Sequence, residues 1–99
     1  MRLTSEQIKA IKDTTYSVLG EGSRVILFGS RVDDTKKGGD IDLLFETEHV
    51  LDNRVNTIGV LYAALIRKLG DRKIDILLKD PKTPEAPVLE IARQTGIEL

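Results

Sequence analysis

With 99 residues the chain is long enough for one domain, which we expect to span 1–99, and too short for a catalytic domain with a separate substrate domain. Hydrophobic residues make up 40% of the chain and charged residues 31%, which is typical of a globular protein. No apolar run approaches the ~20 residues that cross a bilayer, and the polar start of the chain does not resemble a signal peptide. The absence of cysteine excludes disulfides, and we expect a cytoplasmic protein. Its 15 basic and 16 acidic residues give a formal net charge of −1, which argues against extended nucleic acid as a partner because duplex-binding surfaces need a basic excess.

The chain opens with a predicted helix and a predicted strand. Thr4 and Gln7 match a capping box, in which each side chain satisfies a free backbone donor at a helix start. Apolar residues then recur at helical spacing as far as Leu19, and Gly20 ends the segment. The apolar run 24–28 follows, bounded by glycine, and predicts a short buried strand.

The middle of the chain alternates between strands and a long helix. Residues 29–39 form a polar connection, and 40–45 form a second predicted strand. Apolar residues spaced by four and three predict a helix from about 50 to 69, with Tyr62 in its buried stripe. A third strand is predicted over 73–78.

A last short helix is predicted to start at Pro87 and to end at Gly96. The connection between the first two strands is short, so these strands are antiparallel if they are neighbours. A helical crossover joins the second strand to the third, which makes that pair parallel. The expected fold is therefore α/β (α+β), with a three-stranded mixed sheet in αββαβα order packed against helices.

Three aspartates lie within or at the start of two apolar strands, although aspartate is depleted in strands. Asp40 and Asp42 are two residues apart, so their side chains point to the same face of the sheet. Asp75 lies on the predicted parallel neighbour. Converging carboxylates repel one another and attract hard cations, above all Mg²⁺, which is held by a few carboxylates together with substrate phosphates.

A Gly-Ser turn ends the first strand at the same edge of the sheet. Gly29 permits a sharp backbone path and close ligand approach, and Ser30 offers a hydroxyl and an N–H group to a phosphate. Arg31 fits a phosphate contact and a solvated surface charge equally well. A phosphate cradle that faces a carboxylate cluster indicates two-metal phosphoryl or nucleotidyl transfer.

The spacing of these motifs resembles a known family. Gly29-Ser30, nine further residues, Asp40-Ile41-Asp42 and a later Asp75 inside an apolar strand are similar to the DNA polymerase β-like nucleotidyltransferase superfamily. Among its members the chain most resembles the minimal nucleotidyltransferases, which are often encoded beside small helical HEPN proteins as toxin–antitoxin pairs. The resemblance extends over nearly the whole chain and includes the order of its elements.

The resemblance implies roles for the site residues. Gly29 and Ser30, with Arg31 beside them, would hold the triphosphate of ATP. Asp40 and Asp42 would ligate two Mg²⁺ ions, for which Mn²⁺ can substitute. Asp75 would complete the site of the metal that activates the acceptor hydroxyl and could also act as the general base.

Two functions of different kinds follow from this resemblance. In the first, the chain is a protein adenylyltransferase-like enzyme that moves AMP from ATP to a hydroxyl of a HEPN-type helical partner and thereby acts as an antitoxin. In the second, it is a non-catalytic antitoxin that neutralises the partner by covering it. Three intact carboxylates favour the enzyme, because a pure binding subunit gains nothing from crowded acids.

Overall fold

The computed structural model describes residues 3–29 and 40–99, which form three helices and four strands. In chain order these are α1 (Ser5–Leu19), β1 (Ser23–Phe28), β2 (Ile41–Thr47), α2 (Arg54–Leu69), β3 (Ile74–Lys79), α3 (Pro87–Thr95) and β4 (Ile97–Glu98). Within this part of the chain, no helix is long and apolar enough to cross a membrane.

Helix α1 has the ends that its sequence predicts. The backbone N–H of Gln7 donates to Oγ1 of Thr4 over 3.1 Å, and the N–H of Thr4 donates to Oε1 of Gln7 over 2.9 Å, so the capping box is complete. At the other end Gly20 adopts a φ of 81° and donates its N–H to the carbonyl oxygen of Tyr16. These contacts satisfy backbone groups that a helix end leaves without partners.

The sheet has the strand order β3-β2-β1-β4. Strands β1 and β2 are antiparallel and β2 and β3 are parallel, which confirms the predicted mixed sheet. The predicted count of three strands was wrong, because Ile97 and Glu98 pair with Leu27 and Ile26 and form a fourth. A strand of two residues is too short to show a period in the sequence, and its place depends on how α3 ends.

The two faces of the sheet carry separate apolar layers. Helices α1 and α2 cover one face, where the side chains of Ile41, Leu43 and Phe45 are completely buried. Helix α3 covers the other face by packing Leu89 and Ala92 against it. Strand residues alternate between faces, so Asp42 and Leu44, which lie between these three residues along β2, belong to the α3 face.

Helix α2 differs from its prediction in two respects. It begins at Arg54, capped by Asn53, rather than near residue 50. Tyr62 is 43% exposed and does not lie in the core, so its predicted burial was wrong, and Val55 is 81% exposed. The helix buries a narrower stripe than the pattern of apolar residues indicated, and both side chains lie to one side of it. The fully buried positions of α2 are Leu61, Leu65 and Leu69.

Candidate active site

A pair of acidic side chains occupies one end of the sheet. Asp42 on β2 and Asp75 on β3 are direct partners in the parallel ladder. Ile41 and Leu43, on either side of Asp42, point into the core beneath α1 and α2. By alternation the carboxyl group of Asp42 therefore lies on the α3 face, and the ladder places Asp75 beside it.

The surroundings of Asp42 disfavour its charged form. Partial burial is the main reason that its pKa is raised above the ordinary 3.8. A hydrogen bond with Asp75 and the charges of Asp75 and Asp40 raise this pKa further, whereas the charge of Lys73 lowers it. The site therefore gathers more negative charge than its own residues neutralise, and a bound cation would relieve the repulsion.

Asp40 lies one step further along the same edge. Asp40 and Lys73 immediately precede the ladder partners Ile41 and Ile74, and Nζ of Lys73 is 3.8 Å from Oδ2 of Asp40. A backbone hydrogen bond of 3.0 Å from Ile41 to Lys73 holds these two positions together. Asp40 is thus close enough to act on Asp42 through its charge while it pairs with a lysine.

The described residues contain no group of three His, Cys, Asp or Glu side chains already gathered to hold a metal ion. Asp42 and Asp75 form the pair, and Asp40 stands beside it with Lys73. Such a donor set, made of hard carboxylate oxygens, suits Mg²⁺, which takes one or two protein carboxylates and completes its coordination with water and substrate phosphates. The residues present therefore fit a divalent cation that binds together with a phosphate ligand.

Gly29 brings the backbone directly against this pair. It follows β1 with a φ of 75°, a left-handed conformation that residues with a side chain rarely adopt. A Cβ atom built on Gly29 would overlap Oδ2 of Asp42, whose antiparallel partner is the preceding residue, Phe28. Only glycine fits here, and the close ligand approach expected at Gly29 stays a prediction. The predicted phosphate contacts of Ser30 and Arg31 lie outside the described residues.

Lys73 is a site residue to which the sequence analysis assigned no role. Lys73 directly precedes β3, two residues from Asp75, and its charge opposes that of the acids by lowering the pKa of Asp42. The signal was present in the sequence: once β2 and β3 are placed in register, Lys73 falls beside Asp40. A register between two strands is a tertiary property, which the spacing within one strand does not reveal.

A cavity of about 310 Å³ lies at the opposite end of β3, beside the loop that contains Asp80. Buried Asp80 holds the surrounding loop together by accepting hydrogen bonds from the N–H groups of Leu51 and Lys82 and from the hydroxyl of Thr83. The hydrogen bond from Leu51 is the main reason that the pKa of Asp80 lies below 3.8. Arg54 also lies 3.7 Å from Oδ1 of Asp80, and the residues that line the cavity do not include the acid pair.

Comparison with known proteins agrees with this geometry. The model of one family, the nucleotidyltransferase domain, matches residues 5–94, which include Gly29 and the aspartates at positions 40, 42 and 75. A search of curated proteins found no match. The match extends over almost the whole chain and confirms the resemblance that the motifs indicated. The chain belongs to the nucleotidyltransferase domain family, within the DNA polymerase β-like superfamily.

Proposed function

We propose that the nucleotidyl transfer typical of this family is, in this chain, the transfer of AMP from ATP to a hydroxyl group of a protein. The observation that carries the proposal is the pairing of Asp42 with Asp75 at the edge where Gly29 brings the backbone close. Two carboxylates held side by side supply the oxygen ligands for a divalent cation, and a glycine turn leaves room for phosphate groups.

The metal in this proposal is Mg²⁺, as two ions held by Asp40, Asp42 and Asp75, with Mn²⁺ able to replace it. When bound, such ions polarise the transferred phosphate and lower the pKa of the attacking hydroxyl. The raised pKa of Asp42 supports this assignment, because a carboxyl group that resists ionisation among other acids becomes a good ligand once a cation compensates the charge.

The residues of the chain position the reactants. Gly29, Ser30 and Arg31 would hold the triphosphate, and the acids would lie beside its α-phosphate. The acceptor oxygen forms a bond to the α-phosphorus, the bond from that phosphorus to the β-phosphate oxygen breaks, and pyrophosphate leaves with that oxygen. The hydroxyl proton passes to a carboxylate, for which Asp75 is suited because it is the exposed member of the pair.

The proposed acceptor is a HEPN-type helical protein, with a tyrosine hydroxyl as the nucleophile and antitoxin activity as the consequence. This choice of acceptor is supported by the exposure of Asp75 to solvent, which leaves the acid pair open on one side. A site that is open on this side needs a second molecule to exclude water during transfer, and a folded acceptor protein can do so.

The test is incubation of the purified chain with α-labelled ATP, Mg²⁺ and the HEPN-type protein, followed by intact-mass spectrometry of both proteins. We expect the partner to gain the mass of one or more AMP groups. Asp42→Asn and Asp75→Asn should each reduce the modification by orders of magnitude, whereas Asp52→Asn, an exposed aspartate at the other end of the sheet, should not. A partner of unchanged mass that is still bound and inhibited by the Asp42→Asn variant would establish the non-catalytic antitoxin instead.

A further inference from the structure

The backbone of Lys73 is held beside the acidic residues by the pairing of two strands. The carbonyl oxygen of Lys73 accepts a hydrogen bond of 3.0 Å from the N–H of Ile41, the first residue of β2. Asp40 precedes Ile41 in the chain and Asp42 follows it. The pairing of β2 with β3 therefore keeps a lysine at the end of the sheet where the aspartates meet.

The side chain of Lys73 is bound only weakly to Asp40. Its Nζ lies 3.8 Å from Oδ2 of Asp40, which is close enough for an ion pair but too far for a hydrogen bond. The two side chains are 68% and 48% exposed. An exposed ion pair of this length adds little stability, because water competes for both charges. The ammonium group can therefore leave Asp40 at little cost.

The charge of Lys73 also reaches the acid pair. It lowers the pKa of Asp42, whereas burial and the charges of Asp75 and Asp40 raise it. A positive charge that favours ionised carboxyl groups does in part what a bound cation would do at the same place. Lys73 thus compensates some of the negative charge that the aspartates bring together.

A divalent cation at these aspartates would compete with Lys73. A cation that ligates Asp40 takes the carboxyl group that the ammonium contacts, and positive charges at this distance repel each other. A triphosphate reverses the effect, because its oxygens accept hydrogen bonds from a lysine ammonium and its negative charge attracts it. The flexible stem of a lysine allows the ammonium to move from a carboxylate to a ligand beside it.

We propose that Lys73 is an internal counter-ion that makes cation binding at the aspartates depend on the nucleotide. In the free chain Lys73 stays near Asp40 and weakens the binding of a bare divalent cation. When a metal–triphosphate complex binds, the cation takes Asp40 and the ammonium of Lys73 moves to the phosphate oxygens. This inference rests on the metal site of the proposed function. Its test measures binding without an acceptor protein, so a failure of AMP transfer is distinguishable from a failure of the counter-ion.

The test compares two lysines at opposite ends of β3. Lys73→Met removes the charge and keeps an unbranched side chain. Lys79→Met makes the same change at the other end of the strand, where Nζ of Lys79 lies 4.0 Å from Oε2 of Glu85. Lys73→Arg keeps the charge. Isothermal titration calorimetry measures the affinity of each variant for Mn²⁺ alone and for the Mn²⁺ complex of a non-hydrolysable ATP analogue.

We expect the two affinities of Lys73→Met to change in opposite directions. Mn²⁺ alone should bind at least about threefold more tightly than to the wild type, because a competing charge is gone. The Mn²⁺–analogue complex should bind at least about threefold more weakly, because a phosphate contact is gone. Lys79→Met should leave both affinities unchanged, and Lys73→Arg should bind Mn²⁺ alone as the wild type does.

A double-mutant cycle locates the competition at Asp40. In an Asp40→Asn background, Lys73→Met should no longer strengthen the binding of Mn²⁺ alone, because the contested carboxylate is absent. Thermal unfolding gives a second measurement without nucleotide. Mn²⁺ should raise the melting temperature of Lys73→Met by more than it raises that of the wild type or of Lys79→Met, since tighter binding to the folded chain stabilises it more.

Several results would overturn the proposal. One is an affinity for Mn²⁺ alone that Lys73→Met leaves unchanged or weakens, and another is an unchanged affinity for the Mn²⁺–analogue complex. A third is equal strengthening of Mn²⁺ binding by Lys73→Met and Lys79→Met, and a fourth is absence of Mn²⁺ binding to wild type and variants alike. The expected affinities together with no labelled AMP on any protein would support the counter-ion and refute the transfer.

Discussion

Asp42 and Asp75 stand at the same level of two parallel strands, and their carboxyl groups interact directly on the face of the sheet that α3 shares. The interaction and the partial burial of Asp42 keep the pKa of this carboxyl above 3.8. When Asp42 ionises, its charge is held next to those of Asp75 and Asp40. The pair thus places a local electrostatic penalty on the folded chain when no cation is bound.

Replacing Asp42 by asparagine removes a charge from the pair while keeping the shape of the side chain. In EDTA we expect Asp42→Asn to melt no lower than the wild type and up to about 5 °C higher. Asp52→Asn, far from the pair, should leave the melting temperature unchanged. Differential scanning calorimetry is the measurement, and a clear decrease for Asp42→Asn would show that this aspartate is a structural cap.

The loss of stability that the charge of Asp42 causes should increase with pH. For a carboxyl whose pKa is higher in the folded than in the unfolded chain, protonation stabilises the fold, so stability is lost as the pH rises from about 3.8 through the raised pKa. The advantage of Asp42→Asn over the wild type in EDTA should therefore be small at acid pH and grow towards pH 7. An advantage that stays constant across this range in urea titrations would contradict a charge effect.

Asp80 should show the opposite dependence. Its pKa is lowered, chiefly by the hydrogen bond from the backbone of Leu51, so the stability that it contributes is present above about 3.8 and is lost as the pH falls through its lower folded value. We expect Asp80→Asn to lower the melting temperature at pH 7 and to approach the wild type as the solution is acidified. If Asp80→Asn lowers the melting temperature equally at pH 7 and at pH 2.5, Asp80 stabilises the fold through the shape of its side chain and not through its charge.

A comparison of Gly29 with Gly20 separates the effect of backbone strain on stability from the effect of the active site on ATP binding. Both have a left-handed φ, 75° and 81°, but a Cβ atom would strike Asp42 at Gly29 and nothing within 4 Å at Gly20. Alanine at either position should destabilise the fold by about 1–2 kcal/mol through the backbone. Only Gly29→Ala should also abolish ATP binding in equilibrium dialysis with Mg²⁺. If Gly29→Ala still binds ATP as tightly as Gly20→Ala, the glycine is no part of the phosphate site.

The features that the sequence predicted correctly depend on local chemistry or on chain connectivity. The capping box of Thr4 and Gln7 satisfies backbone groups within one helical turn, whatever surrounds it. The antiparallel and parallel pairings follow from the lengths of the connections. Those pairings bring Asp42 and Asp75 to the same edge of the sheet, and the register between β2 and β3 makes them direct partners on one face.

The features that the sequence analysis missed depend on tertiary packing. Apolar spacing did not distinguish the buried side of α2 from the exposed side that carries Val55 and Tyr62, because both contain hydrophobic residues at helical intervals. Tyr62 was assigned to the wrong side for that reason. Strand β4 forms because the end of α3 directs Ile97 to β1, and Lys73 joins the site because of the register between β2 and β3.

Gly59 lies exposed in the interior of α2 and yields a prediction about stability. Gly59→Ala should raise the free energy of unfolding by about 0.5–1 kcal/mol, because alanine is the better helix former and its Cβ meets nothing. Gly70 ends the same helix with equally open surroundings but with a φ of 90°, so Gly70→Ala should destabilise the chain. Urea unfolding of the two variants gives the comparison. A loss of stability in Gly59→Ala would mean that the chain itself needs a glycine within α2.

The acid pair also determines how a divalent cation should bind. Asp42 and Asp75 offer two neighbouring carboxyl groups, and Asp40 offers a third, which Lys73 contacts. These groups alone do not complete the octahedral coordination that Mg²⁺ requires. We therefore expect Mg²⁺ or Mn²⁺ to bind weakly to the chain by itself and at least about tenfold more tightly when ATP supplies phosphate oxygens. Isothermal titration calorimetry with Mn²⁺, with and without a non-hydrolysable ATP analogue, measures both affinities.

In a variant that combines Asp40→Asn with Asp42→Asn the enhancement by the analogue should disappear, while the Gly20→Ala variant should retain it. Equal metal affinity in the wild type and the double variant would show that these aspartates do not form the metal site.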